Sequence, residues 1–295
     1  MRNPLHAVGR TRPVEYDRSG GTTLPQSMEQ RVALAGLGAV GMDCARALDA
    51  GLPGLRLARA SAADLERAAR RVESFLCPPL IVAPERLAEE TDIVVDCAPS
   101  SAFRGVAVPA LEGGRTLLTI SGAALLENWD MVDLARRSGG VIHLASGAVP
   151  GLDAVQAARR GRISRVRMVT TKPPPGLAGA PHLIEHGIEI ENLDEPLRVF
   201  AGNAREGARA FPANVNVAAA LGLAAGDPDL VELEVWADPS IRVNRHRILV
   251  ESNSANIDLS IENIPSQENP RSGRIVALSV VACLEKMVAA LRIGT

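Results

Sequence analysis

The run ALAGLGAVG, Ala33 to Gly41, constrains the fold of this chain more than any other stretch. It continues an apolar segment, RVALAG, that reads as a buried strand, and it opens AVGMDCARALDAG, which reads as a helix ending at Gly51. Gly36, Gly38 and Gly41 stand in G-x-G-x-x-G spacing. The first permits a tight turn, the second lets a pyrophosphate approach the backbone, and the third lets helix and strand pack closely. The helix N-terminus then offers amide donors to phosphate. Three glycines are weak evidence alone in a chain with 26 of them, but strand, turn and helix in this order specify a dinucleotide-binding unit.

Strand and helix go on alternating from Arg31 to about Ala148. LRLARA, DIVVDCA, RTLLTIS and GVIHLAS read as strands; AADLERAARRVESFL, capped by Ser61, and AFRGVAVPALEGG read as helices. Such alternation predicts a parallel, doubly wound sheet. After Gly151 the texture changes. LDAVQAARRG is helical, RVRMVTTK, LVELEVWAD and RHRILVESNSANIDLSIE alternate as β segments, and RIVALSVVACLEKMVAALR is an apolar helix. The expected fold class is α/β: an N-terminal Rossmann domain over residues 29–148 and a second α+β catalytic domain over 149–268. Residues 269–295 would form a helix returning to the first domain. Residues 1–28 lack the apolar centre of a signal peptide and read as a disordered leader, with Met28 an equally good start.

Composition removes several classes. A net charge of −2 gives no electrostatic footprint for nucleic acid or an anionic membrane, and 2% aromatic residues supply no base-stacking platform. The four cysteines, Cys44, Cys77, Cys97 and Cys283, show no CxxC pairing and read as reduced core thiols of a cytoplasmic protein. No apolar run reaches the length of a membrane span.

Several residues carry candidate chemistry. Where the second strand ends, an acid would bind the ribose of NAD. Arg59 stands there instead and can pair with the 2′-phosphate of NADP, so the cofactor is NAD or NADP. HLIEH, His182 to His186, has the H-x-x-E-H spacing of a zinc peptidase, a competing metallohydrolase reading. It has room for barely one helical turn and no further ligand, so no metal is assigned. In the second half, ASGAVPGLD ends a strand with Ser146, Gly147 and Ala148, TTKPPP fixes Lys172 before three prolines, and FPANVNV places Asn214 and Asn216 at a helix start. By residue type alone Asn216 is a helix cap and Lys172 a solvated charge. In DPSIRVNRHRI, a strand would put Arg242, Asn244 and His246 on one face: a cation, an amide and a titratable base.

Six elements in this order, GLGAVG, SGAVPGLDAV, TTKPPPGL, FPANVNVAAA, ADPSIRVNRH and IENIPSQENPRSGRIVALSV, resemble the L-aspartate dehydrogenase family from about Arg31 onward. The resemblance implies that Ala148 and Asn216 contact the dinucleotide and that His246 is the active-site residue. It also implies NAD(P)-dependent oxidation of L-aspartate to iminosuccinate, with reductive amination of oxaloacetate by ammonia in reverse. Lys172 and Arg242 become the candidate cations for the two substrate carboxylates, with Asn244 beside them. The expected partners are these small molecules and a second copy of the chain in a homodimer. Two departures fall near the inferred pocket: Val149-Pro150, where the family usually reads Ile-Gly, and Arg271-Ser272-Gly273, where it reads Lys-Thr-Ser. They leave open a related oxidoreductase acting on another amino or imino acid. A catalytically silent NAD(P)-binding regulator is the reading from another class.

Overall fold

The computed structural model describes residues 29–212, 215–266 and 273–294. The expected leader, Asn214 and the departures at Arg271 and Ser272 lie outside the described residues.

The first half runs β1 (Gln30–Ala35), α1 (Ala39–Asp49), β2 (Leu55–Ser61), α2 (Leu65–Val72), β3 (Leu80–Ile81), β4 (Ile93–Asp96), α3 (Phe103–Glu112), β5 (Thr116–Thr119), α4 (Gly122–Glu127), α5 (Asp130–Ser138) and β6 (Val141–Leu144). All neighbouring strands pair in parallel, in the order β3-β2-β1-β4-β5-β6. The order reverses between β1 and β4, and open sheets of this kind bind ligands where it reverses, beyond the carboxyl ends of the strands. Both faces are covered. Val32 and Leu34 of β1 pack towards α1, while Ala33 and Ala35 pack with Val94 and Phe103 on the α3 side. Fully buried side chains such as Leu34, Phe103 and Leu118 each contribute roughly 1.5–3 kcal/mol of transfer free energy.

Two details depart from the pattern read in the sequence. Ser61 does not cap α2: it is the last residue of β2, in register with Ala35, and its carbonyl accepts from Gly36 N at 2.8 Å. Asp64 is the cap, its carboxylate accepting from Arg67 N at 2.9 Å. The β1–β2 register also jumps at Ala58, since Val32 pairs with Leu57 but Ala33 with Arg59. Arg59 therefore sits alongside Ala33, whose side chain packs towards α3, away from α1.

The second half contains α6 (Leu152–Ala158), β7 (Ile163–Lys172), α7 (Pro181–Glu185), β8 (Leu197–Asn203), α8 (Ala204–Ala210), α9 (Asn216–Ala225), β9 (Val231–Ala237), β10 (Asn244–Ser252), β11 (Asn256–Asn263) and α10 (Ile275–Val288). Its sheet has the order β11-β10-β7-β9-β8 and is mixed, with β7 and β9 parallel and the other pairs antiparallel. Alternate residues of β7 and β10 bury Val166, Met168, Ile248 and Val250 against the helices. The opposite face is lined by ion pairs, Arg165–Glu232 at 2.6 Å, Arg167–Glu234 at 2.8 Å and Arg247–Asp258 at 2.8 Å. Exposed pairs of this kind contribute about 0–1 kcal/mol each. α10 leaves this sheet and returns to the first, where Ala277, Val280 and Leu284 share a core with Met42, Ala45 and Leu48 of α1.

α7 is a single turn. His182 and His186 stack there with ring centroids 4.1 Å apart, and His182 also packs against Phe200 and Phe211. Among the described residues, no three His, Cys, Asp or Glu side chains gather where they could hold an ion.

Candidate active site

At the strand-order reversal, Gly36 adopts φ +87°, and a Cβ there would stand 2.7 Å from the Cys97 carbonyl oxygen. A Cβ at Gly41 would collide with the Gly36 carbonyl. Glycine is thus required by the protein's own packing at both positions. Gly38 differs, because nothing lies within 4 Å of where its Cβ would be. It precedes α1, whose first turn carries no acid and no side-chain cap. That open space before uncapped amides fits a pyrophosphate. Next to it, Asp96 is fully buried at the end of β4. It accepts from Thr119 Oγ1 at 2.8 Å and Ala98 N at 3.1 Å, and burial pushes its carboxyl pKa up.

The second sheet approaches this crevice with a change of character. The buried face of β7 ends in Thr170 and Lys172, and that of β10 begins with Asn244 and His246. The strand period of two thus carries an apolar core face into a polar cluster at the sheet's end. A cleft of about 140 Å³ lies there, and Ala148, Lys172, Asn216, Asn244, His246 and Asn263 all line it. α10 supports the rim, since Ser279 Oγ accepts from Gly147 N at 3.0 Å. A wider hollow of about 360 Å³ occupies the sheet's other face. The arginines that line it, Arg167, Arg245 and Arg247, already pair with Glu234, Glu262 and Asp258.

His246 is 3% exposed, and its Nδ1 lies 3.1 Å from Thr170 Oγ1, its cross-strand partner in β7. Burial, then the charge of Lys172, lowers its pKa from 6.5 to about 3. The imidazole of the ligand-free enzyme is therefore neutral at any ordinary pH. Lys172 is 5% exposed, and burial lowers its pKa from 10.5 to about 8. The turn Pro174–Gly176 closes over this pair of strands: a Cβ on Gly176 would lie 3.8 Å from the Lys172 Cβ and 3.9 Å from Asn244 Oδ1. A buried ammonium with a lowered pKa, a neutral imidazole and two carboxamides beside a dinucleotide crevice can bind carboxylates and exchange protons.

Residues 153–287 match the family described as aspartate dehydrogenase, C-terminal, and residues 36–145 match the homoserine dehydrogenase NAD binding domain. The L-aspartate dehydrogenase of Bradyrhizobium diazoefficiens is 49% identical over 269 residues, covering 91% of this chain and 95% of the relative. L-aspartate dehydrogenase 3 of Bordetella bronchiseptica is 46% identical, covering 90% of this chain and 98% of the relative. The chain belongs to the L-aspartate dehydrogenase family. The crystal structure of aspartate dehydrogenase from Thermotoga maritima has the same fold, with a TM-score of 0.68 at 23% identity over 90% of this chain and 100% of that one.

The residues singled out in the sequence divide into two groups. Ala148, Lys172, Asn216, Asn244 and His246 come together in the cleft. Asn216 is not a cap: Val215 holds that position, and the Asn216 carboxamide oxygen accepts from Ala123 N at 3.0 Å, joining α9 to α4 of the first half. Arg242 and Arg59 do not join them. Arg242 is exposed in a bend before β10 begins, so it does not share the strand face of Asn244 and His246. Arg59 is 7% exposed and bound to Glu89 at 3.3 Å and Glu90 at 3.1 Å. Ser61, not Arg59, ends β2 beside the glycine turn, and the guanidinium that reaches the turn is that of Arg71, which donates to the Leu37 carbonyl. Of the departures, Val149 is buried in the second core and Gly273 lines the cleft. Sequence reasoning missed Thr170, Arg71 and Asn263. TTK and IEN were both noted as family elements, but only the strand register shows that Thr170 faces His246 and Asn263 faces Asn244.

Proposed function

We propose that this enzyme oxidises L-aspartate to iminosuccinate with NAD(P), and runs the reductive amination of oxaloacetate in reverse. The observation that carries the reading is the meeting of Lys172, Asn244 and His246 with Ala148 and Asn216 in one cleft at the dinucleotide crevice. NAD(P) bound along the glycine turn would supply the hydride acceptor. The remaining chemistry belongs to side chains. The substrate ammonium must lose a proton before its lone pair can push as hydride leaves Cα and a C=N bond forms. His246, held through Nδ1 by Thr170, leaves Nε2 to take that proton and then to assist water as it adds to the imine and ammonia departs.

A free-enzyme pKa near 3 makes this imidazole a poor base, but two substrate carboxylates alongside raise its proton affinity. The same carboxylates favour the charged form of Lys172, which binds one of them. Asn244 and Asn216 orient the substrate and the nicotinamide end. For the 2′-phosphate of NADP, Arg71 replaces Arg59 as the candidate cation. A homodimer in the cytoplasm belongs to the same proposal, and sedimentation of the purified protein tests the dimer. No helix among the described residues is long and apolar enough to cross a membrane.

The deciding experiment is hydride transfer to NAD and NADP from L-aspartate, L-glutamate and L-alanine. L-aspartate should exceed L-alanine in kcat/KM by at least about a hundredfold, because L-alanine lacks the side-chain carboxylate and so forfeits its charge-assisted contact with the buried ammonium. Equal efficiency on the two would refute a dicarboxylate site. No turnover of any amino acid, with intact dinucleotide binding, would favour the silent regulator.

A further inference from the structure

Asn263 ends β11 in an unusual state. It is 3% exposed, yet among the described residues neither its Oδ1 nor its Nδ2 has a hydrogen-bond partner. A buried amide without partners is costly, and such groups are rare enough that each needs a reason. The position supplies one. Asn263 pairs across β10–β11 with Asn244 and lines the cleft with Asn244, Lys172 and His246. Gly273 backs it so closely that a Cβ there would stand 3.0 Å from the Asn263 Cβ and 3.2 Å from its Oδ1. The same corner is lined by Val276 in the first turn of α10, a 14-residue helix with no acid in that turn and no side-chain cap. A helix end of this kind favours an anion beside it.

We propose that Asn263 is a substrate-binding residue that reads the amino-carboxylate edge of the amino acid, its Nδ2 donating to the α-carboxylate and its Oδ1 accepting from the amino group. This rests on the amino-acid oxidation proposed above. The chemistry matches at both atoms. A primary amide presents one donor and one acceptor side by side, and an α-amino acid presents one acceptor and one donor at similar separation. A carboxylate alone would satisfy Nδ2 and leave Oδ1 facing negative charge, so the acceptor calls for the amine. Lys172, elsewhere on the cleft wall, is then left for the side-chain carboxylate, and the two contacts together set the substrate's length and its direction in the cleft. When the imine is hydrolysed, the carbon carries a carbonyl with no N–H to give, and Asn263 loses half of its interaction. The product is therefore held less well than the substrate.

The test uses the full-length enzyme and three variants. Asn263→Leu keeps the branched shape and removes both polar atoms. Asn263→Ala serves if the leucine does not fold. Gly273→Ala leaves the amide in place and presses a methyl group against it. The readings are thermal stability with and without L-aspartate, NADPH binding by fluorescence, and KM and kcat for L-aspartate. The comparison of L-aspartate with succinate as ligands of the enzyme–NADPH complex isolates the amine contact.

The expected result for Asn263→Leu is a melting temperature equal to or above wild type, NADPH affinity within about twofold, and a KM for L-aspartate raised about tenfold to a hundredfold. Its stabilisation by L-aspartate should disappear, together with the preference for L-aspartate over succinate expected of wild type. Gly273→Ala should raise KM in the same direction. A folded Asn263→Leu or Asn263→Ala enzyme with wild-type KM overturns the proposal, as does a loss of stability with KM unchanged, which would make the amide structural. Failure of the wild-type enzyme to oxidise L-aspartate at all would instead sink the functional reading on which this rests.

Discussion

Replacing Lys172 by methionine tests the electrostatics of the cleft directly. Methionine keeps most of the side-chain length and removes the ammonium. Burial lowers the Lys172 pKa from 10.5 to about 8. At about 1.36 kcal/mol for each tenfold change in proton affinity, keeping that ammonium charged inside the fold costs about 3 kcal/mol. The cost has a defined pH window. Below pH 8 the lysine is charged in both the folded and the unfolded chain, and the full cost applies. Between 8 and 10.5 the unfolded chain binds more protons than the folded one, so wild-type stability rises with pH. Above 10.5 the amine is neutral in both and the cost is gone. Lys172→Met should therefore be more stable than wild type at pH 7, by roughly 5 °C or more in melting temperature. Its advantage should shrink towards zero near pH 10.5. The same variant should lose at least about a hundredfold in kcat/KM for L-aspartate, since a buried carboxylate would have no cation. Thermal unfolding of both proteins across pH 7–10.5 provides the measurement. A variant no more stable at pH 7, or one whose advantage does not change with pH, would refute the picture of a destabilised, functional ammonium.

His246→Ala should bind NADPH as wild type does and oxidise L-aspartate about a hundredfold or more slowly, measured by fluorescence titration and steady-state rates. Because the folded pKa of His246 is about 3 against 6.5 unfolded, wild-type stability is fully present above 6.5 and falls as pH drops towards 3; the alanine variant should lose less over that window in acid unfolding curves. Gly38→Ala should melt like wild type, since its new methyl meets nothing, yet weaken dinucleotide binding; Gly41→Ala should lose stability as well, through its collision with the Gly36 carbonyl. Arg59→Asp places a third carboxylate beside Glu89 and Glu90, so it should lower the melting temperature clearly while leaving the ratio of NAD to NADP affinity unchanged. A strong swing towards NAD would restore Arg59 as the 2′-phosphate ligand.

How much of this was legible in the sequence depended on how local each determinant is. The glycine turn and the alternation of strands and helices are encoded within a few residues of one another, and they led to the Rossmann sheet and its site. His246 and Asn244 lie two apart on one strand and could be paired from spacing alone. Arg242 could not be separated from them, because nothing local marks the bend that starts β10 at Asn244. Arg59 was misread for a similar reason: one skipped residue at Ala58 resets the register, and only the pairing with β1 reveals it. α4, α5, β8 and α8 are not among the elements that the sequence pattern marks. Of these, α4 is a short run of small and apolar residues without helical periodicity, and α8 begins at a capping box between Asn203 and Glu206. Asn263 is the extreme case. Its significance lies in what it lacks, two hydrogen bonds, and a sequence does not record missing partners.

α10 follows every other wall of the cleft in the chain, yet it contributes Val276 to the lining, three residues after Gly273 on the same rim, and holds Gly147 through Ser279. In chain order the strands of the dinucleotide sheet and of the second sheet are all complete before this helix begins. A nascent chain could then acquire most of its structure without acquiring a working cleft, and competence would arrive in one late docking step onto α1. Activity in this enzyme thus reports on the integrity of nearly the whole polypeptide, and a chain cut short before α10 would be silent rather than partly active.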